Sequence, residues 1–260
     1  MTISYYLADP TGNITLLVKS PVSPEKRKIT ANALMKAEPT AEQVGFIDGL
    51  TLNMAGGEFC GNATISAAAV YCYEKNLDCA KINMTVSGAD EKVGVEISKT
   101  AENEYTGQVD MPSPLSITKT EIMLSGSLIT VPVVNFKGIS HIILTRPADP
   151  GECEREIVSA CKKLGADCLG IMLTDGKHLK PLVYVSEPET LVWESSCASG
   201  STAAAIYFAL KNSGRFDGEF SEPGGSLHAS AVRDSVTGVV NSKLKGRVIL
   251  KPVRECRIED

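Results

Sequence analysis

The chain has 260 residues, with 26 basic against 31 acidic side chains and a formal net charge of −5. At 43% hydrophobic and 22% charged it has the make-up of an average globular protein, long enough for one large or two modest domains with a sizeable core. The longest basic run is Lys26-Arg27-Lys28 and the longest apolar run is Ala203 to Leu210, which argues against nucleic-acid partners and against a membrane span of ~18 residues.

Taken in chain order, the elements are short. Met1 to Pro10 has neither a basic start nor a long apolar core, so no secretory signal is expected and the cytoplasm is the default. A β-like stretch, Ile14 to Lys19, follows Gly12-Asn13. Pro24 to Lys36 reads as a helix with Ser23 as N-cap. A second helix follows Cys60. Further β-branched stretches lie at Val93 to Ile97, Leu128 to Val134 and His141 to Leu144. Cys153 to Gly165 is helical, with Ile157, Ala160, Cys161 and Leu164 on one face. Leu182 to Val185, a helix after Cys197, and Arg247 to Leu250 complete the series. Strands interrupted by single helices, without regular alternation, predict an α+β fold.

The two helices that follow cysteines repeat each other. Ala67-Ala-Ala-Val-Tyr-Cys-Tyr-Glu-Lys-Asn76 matches Ala203-Ala-Ala-Ile-Tyr-Phe-Ala-Leu-Lys-Asn212, 136 positions later, with Cys60 and Cys197 in the preceding loops. Both are apolar nearly all round, which predicts buried helices. The expected architecture is two pseudo-symmetric lobes, each a mixed or antiparallel barrel-like sheet around one central helix, with the active site in the cleft between them. The boundary falls near Met111 to Leu115, giving lobes of 1–114 and 115–260; the last strand, near 247–260, is free to return to the first lobe.

The eight cysteines contain no C-x-x-C pair, and His141, His178 and His228 do not cluster with them. Neither a disulfide scaffold nor a metal site is expected, and most of these cysteines read as small buried hydrophobes. Cys60 and Cys197 differ from the rest. A helix N-terminus presents unpaired N–H groups and partial positive charge, which lowers a thiol from ~8.5 toward neutrality and also suits a carboxylate. Two such thiols facing one cleft suit removal of an α-proton from one side of a carbon and its return to the other. Gly56 to Gly61 has phosphate-loop glycine spacing, but Asn62-Ala63 replaces the Lys-Ser/Thr that such a loop needs. No cofactor is therefore expected.

Met54-Ala-Gly-Gly-Glu-Phe-Cys-Gly-Asn-Ala-Thr64 and Glu194-Ser-Ser-Cys-Ala-Ser-Gly-Ser201 resemble the two cysteine motifs of the diaminopimelate epimerase superfamily, cofactor-independent racemases and epimerases of two pseudo-symmetric lobes. Gly12-Asn13, Glu42-Gln43, His141 and Glu222-Pro-Gly-Gly-Ser-Leu227 extend the likeness along the chain. The resemblance implies Cys60 and Cys197 as the acid/base pair, with the backbone of Gly61, Asn62, Ala198 and Ser199 holding the substrate carboxylate. It also implies Asn13, Gln43, Asn53 and His141 as substrate-side residues. The superfamily's epimerases carry a Glu-Arg pair shortly before the second cysteine; this chain has no Arg between Arg155 and Arg215, and Ile139 and Cys168 replace two asparagines. Glu42, Glu187 and Glu194 are the candidates to stand in for the missing Glu.

A second substrate carboxylate needs a charge-assisted clamp, ideally Arg, and this chain lacks it. Glu42, Gln43 and Asn53 instead suit a side chain that donates hydrogen bonds. The cysteine strings look more like the superfamily's histidine racemases than its epimerases, which implies interconversion of L- and D-histidine with Glu42 near the imidazole. Diaminopimelate epimerisation and racemisation of another amino acid stand as alternatives, and a thiol-redox or amino-acid-binding protein as an alternative of another class. The expected partner is a small amino acid, with the assembly left open between monomer and homodimer.

Overall fold

A computed structural model describes residues 1–187 and 189–258. The chain divides into two compact units, one of residues 1–110 with the stretch from Lys245 onward, the other of residues 111–244. The C-terminal stretch thus counts with the first unit, and the division falls at Asp110/Met111.

The first unit contains β1 (Thr2–Pro10), β2 (Thr15–Val18), α1 (Pro24–Ala37), β3 (Gln43–Asp48), β4 (Thr51–Met54), α2 (Gly61–Lys75), β5 (Cys79–Val86), β6 (Val93–Ala101) and β7 (Glu104–Met111). The second contains β8 (Ser116–Leu124), β9 (Ser127–Asn135), β10 (Ser140–Leu144), α3 (Pro150–Leu164), β11 (Cys168–Thr174), β12 (Leu179–Val185), β13 (Thr190–Trp193), α4 (Ala198–Lys211), β14 (Arg215–Glu222) and β15 (Gly225–Arg233). Strand β16 (Val240–Leu250) begins in the second unit and ends in the first, where β17 (Arg254–Arg257) follows.

In the first unit β1 to β7 and the end of β16 close a ring of eight strands. Neighbours run in chain order from β1 to β7, β16 lies beside β7, and β1 returns to β16 through Ala8↔Leu250, Asp9↔Ile249 and Pro10↔Val248. Helix α2 packs against β1, β2, β5 and β6. Eight strands leave an interior about wide enough for side chains alone, so a helix fits there only if its own side chains are small. Residues 61–70 of α2 are all buried, and Ser66, Ala67, Ala68 and Ala69 form its middle. The wall yields as well. A Cβ on Gly107 of β7 would lie 2.3 Å from Ile65 Cγ2.

The second unit has a six-stranded sheet in the order β13-β12-β11-β10-β9-β8. Its one parallel pair, β10 with β11, is joined by α3. Cys153, Ile157, Ala160 and Cys161 of α3 pack on Ile122, Val133, Ile142, Leu169, Ile171 and Leu182. Helix α4 packs on β9, β10 and β11 and also on β14 and β15, so it too is enclosed. Here the wrap around a central helix that the sequence predicts is made by two sheet segments.

The repeat extends beyond the two helices. In each unit a parallel strand pair is bridged by a helix (β2-α1-β3, β10-α3-β11), followed by an antiparallel return, a cysteine-capped helix and consecutive antiparallel strands. The caps match in detail: Cys60 has φ −132° and ψ 114°, Cys197 φ −131° and ψ 104°.

Candidate active site

In each unit, candidate site residues gather at the start of the enclosed helix. In the first, Cys60 is the N-cap of α2 and its Sγ accepts the Ala63 N–H at 3.4 Å. Thr64 donates to the Cys60 carbonyl through both its amide, at 2.9 Å, and its hydroxyl, at 2.7 Å. The preceding loop is held by Ser87, whose Oγ accepts from Met54 N–H and donates to the Glu58 carbonyl. Gly88 makes that approach achievable: at φ +77° it has no Cβ, which would lie 2.2 Å from Phe59 N.

A polar cluster sits at the same helix end. The parallel β2–β3 register sets Gln43 opposite Thr15, and Gln43 Nε2 donates to Asn13 Oδ1 at 2.6 Å and to Thr15 Oγ1 at 2.8 Å. Asn13 Nδ2 donates to Glu42 Oε2, and the buried Asn62 donates to Asn13 Oδ1 at 3.3 Å. Asn13 reaches this position because Thr11 and Gly12, both at positive φ, turn the chain between β1 and β2. The structure therefore brings Asn13, Glu42, Gln43 and Asn62 together beside the Gly61 end of α2. It sets Asn53 apart. That residue, opposite Phe46 on the β3–β4 pair, lines a cavity of ≈ 450 Å³ with Lys19, Arg27 and Asp48.

In the second unit Cys197 caps α4 and is 7% exposed. Ser199 Oγ lies 3.6 Å from its Sγ and is hydrogen-bonded to His141 Nε2 at 2.9 Å. His141 is wholly buried on β10, and burial pushes its pKa down to about 3, so the ring is neutral. Its register partner on β11 is Gly170, where a Cβ would lie 2.4 Å from His141 Nδ1. The glycine is what admits the imidazole. On the other side of the loop, Cys197 N–H donates to Glu222 Oε2 at 2.8 Å, and Ser201 Oγ donates to the other oxygen of the same carboxyl.

The thiol of Cys197 departs from the sequence expectation. A helix end contributes about 0.3–2 kcal/mol toward a thiolate, whereas burying a charge costs several kcal/mol. Burial pushes the Cys197 thiol well up, Glu194 pushes it further by charge and hydrogen bond, and Glu222 adds its charge; the Ser199 hydroxyl opposes them. Cys197 is a thiol at neutral pH. Of the three glutamates considered for the missing family Glu, Glu194 stands beside Cys197, Glu42 belongs to the Asn13 cluster, and Glu187 lies in an exposed turn. Glu222 and Ser201 were given no role by sequence reasoning. The available signal was alternation: Phe216, Gly218 and Phe220 mark the inner face of β14, and Glu222 falls next on it.

Each helix start joins a thiol to backbone N–H groups that suit a carboxylate; the first adds a cluster of amide donors and the second a neutral imidazole, chemistry suited to a small zwitterion and to proton transfer. No helix among the described residues is long and apolar enough to cross a membrane. The fold resembles that of a Bacillus anthracis phenazine biosynthesis protein of the PhzF family, with a TM-score of 0.70 at 12% identity, over 99% of this chain and 100% of that one. It is equally similar to a hydroxyproline epimerase from Agrobacterium vitis, with a TM-score of 0.70 at 10% identity, over 100% and 93% of the two chains. In sequence, the chain is 31% identical to a histidine racemase of Fusobacterium nucleatum subsp. nucleatum over 95% of this chain and 97% of that protein. It is 27% identical to a histidine racemase of Staphylococcus aureus over 99% and 98%. Residues 2–251 match the family described as histidine racemase CntK N-terminal domain, and the chain belongs to that family.

Proposed function

We propose that this protein interconverts L- and D-histidine without a cofactor, by a two-base mechanism in which Cys60 and Cys197 serve opposite faces of one α-carbon. The observation that supports it best is the matched pair of cysteine N-caps, identical within about ten degrees in φ and ψ, in a member of this family. The backbone N–H groups of Gly61, Asn62, Ala198 and Ser199 receive the substrate carboxylate and stabilise the enolate-like charge that develops as the α-proton leaves. A thiolate at Cys60 takes that proton; the Cys197 thiol gives its own to the opposite face and becomes the thiolate. Reaction of the other enantiomer runs the same steps backwards. Glu42 and Gln43, organised around Asn13, receive the imidazole, and His141 acts on Cys197 through Ser199.

A reaction that depends on two reduced thiols suits a reducing compartment such as the cytoplasm. Incubation with single L-amino acids in deuterated water, followed by chiral chromatography and mass analysis, tests the reading. Histidine should gain α-deuterium and invert. Comparable turnover of diaminopimelate would replace the substrate and keep the chemistry. Absence of exchange with every amino acid would favour a redox or binding role for the same thiols.

A further inference from the structure

Glu222 ends β14 on the face already marked by Phe216 and Phe220, and it is 6% exposed. The turn that follows is tied to the cysteine loop, since Gly224 N–H donates to the Ser195 carbonyl at 2.7 Å. Cys197 N–H, at 2.8 Å, and the Ser201 hydroxyl fill the two oxygens of the Glu222 carboxyl. One side chain thus binds the backbone of the N-cap cysteine and the first turn of its helix. We propose that Glu222 is a positioning residue for Cys197, a buried carboxyl that fixes the cysteine loop through Cys197 N–H and the Ser201 hydroxyl and so helps keep Cys197 the proton donor. The inference rests on the two-thiol reading of the site and adds a reason why the two cysteines are not equivalent.

The groups facing the Cys197 thiol are Glu194 from its own loop, Glu222 from β14, Ser199 from α4 and, through Ser199, the neutral His141 of β10. None of the four is cationic. Burial, with Glu194 next to it, raises Glu222 to about 8, while its bonds from Ser201 and Cys197 hold it down. As pH rises, Glu222 therefore ionises first, and its charge then opposes ionisation of the thiol.

Glu222→Gln keeps an acceptor for Cys197 N–H and a donor to Ser201 while removing the charge. Iodoacetamide alkylation of each cysteine, resolved by peptide mass across pH 6–11 without substrate, gives the midpoint for each thiol. The Cys197 midpoint should fall by about one pH unit in Glu222→Gln, on the order of tenfold faster alkylation on the alkaline side, while Cys60 stays put. The alkaline limb of racemisation should move with it. A folded Glu222→Gln with an unmoved Cys197 midpoint overturns the proposal. If the variant does not fold, infrared titration of the wild type decides: a protonated carboxyl lost with a midpoint of about 8, below that of Cys197, supports it, and no such carboxyl refutes it. Because the thiol titration needs no turnover, failure of the racemase reading appears separately, as wild-type protein that leaves histidine unchanged.

Discussion

At the scale of single residues, the eight cysteines separate by where their backbone places them. Cys72, Cys153 and Cys161 are buried inside helices, and burial raises all three thiols. Cys60 and Cys197 alone are N-caps. Replacing either with Ala should lower racemisation by 10²-fold or more, because inversion needs an acid and a base. Cys72→Ala should leave kcat within about twofold and cost only about 1 kcal/mol of stability for the lost packing. Chiral assay and urea denaturation of the three variants check both statements; near wild-type inversion by Cys60→Ala would end the two-base reading. The pair was legible in the sequence because a small residue, Gly61 or Ala198, follows each thiol at the start of a helix that is apolar nearly all round. The environment of Cys197 was not. Helix-end polarity can be read from local sequence, whereas the burial that outweighs it is made by packing that no local window contains; Glu194 adds to it from three positions away, and Glu222 from a strand 25 positions away.

At the scale of elements, the enclosed helices explain why the Ala-rich strings were so readable. A stripe of Ala at 67–69 or 203–205 carries little hydrophobic area, so it makes sense only where backbone must come close. Some strands of the first unit's ring were less visible: β4 is only four residues long, and β5 went unmarked although it alternates cleanly, with Ala80, Ile82, Met84 and Val86 on its inner side. Their pairing is decided by non-local register, which no window of sequence contains. The tightest point between wall and helix gives a test. Gly107→Ala would set a Cβ 2.3 Å from Ile65 Cγ2 and 2.9 Å from Ile97 Cδ1, and should destabilise by about 1–3 kcal/mol through overpacking. Ile65→Ala alone should cost about 2–5 kcal/mol for the cavity. Combined, the two should cost clearly less than their sum, since each relieves the other's fault. Additive effects in denaturant titrations would mean that β7 and α2 are not in contact as described.

At the scale of the whole molecule, two buried titratable groups set opposite limits on the pH range of stability. Glu222 has an ordinary pKa of 4.5 and is raised to about 8 in the fold. Between these values the native protein keeps a proton that the unfolded chain has released, so stability falls as pH rises and the loss is complete above about 8. His141 is the reverse case, with an ordinary pKa of 6.5 lowered to about 3. The unfolded chain takes up a proton that the buried ring refuses, so its contribution is full above 6.5 and falls as pH drops toward 3. Each one-proton difference is worth about 1.4 kcal/mol per pH unit. Between pH 4.5 and 6.5 the two slopes oppose and cancel, which predicts a plateau there, an alkaline fall from 6.5 to about 8, and an acid fall below 4.5. Exposed carboxyls held low by their bonds, such as Asp175, add to the acid fall, so each limb is assigned by difference. Urea titrations from pH 3.5 to 9 should show Glu222→Gln without the alkaline fall and His141→Asn with a shallower acid one. An alkaline fall that persists unchanged in Glu222→Gln would place its cause elsewhere and remove the buried proton from Glu222.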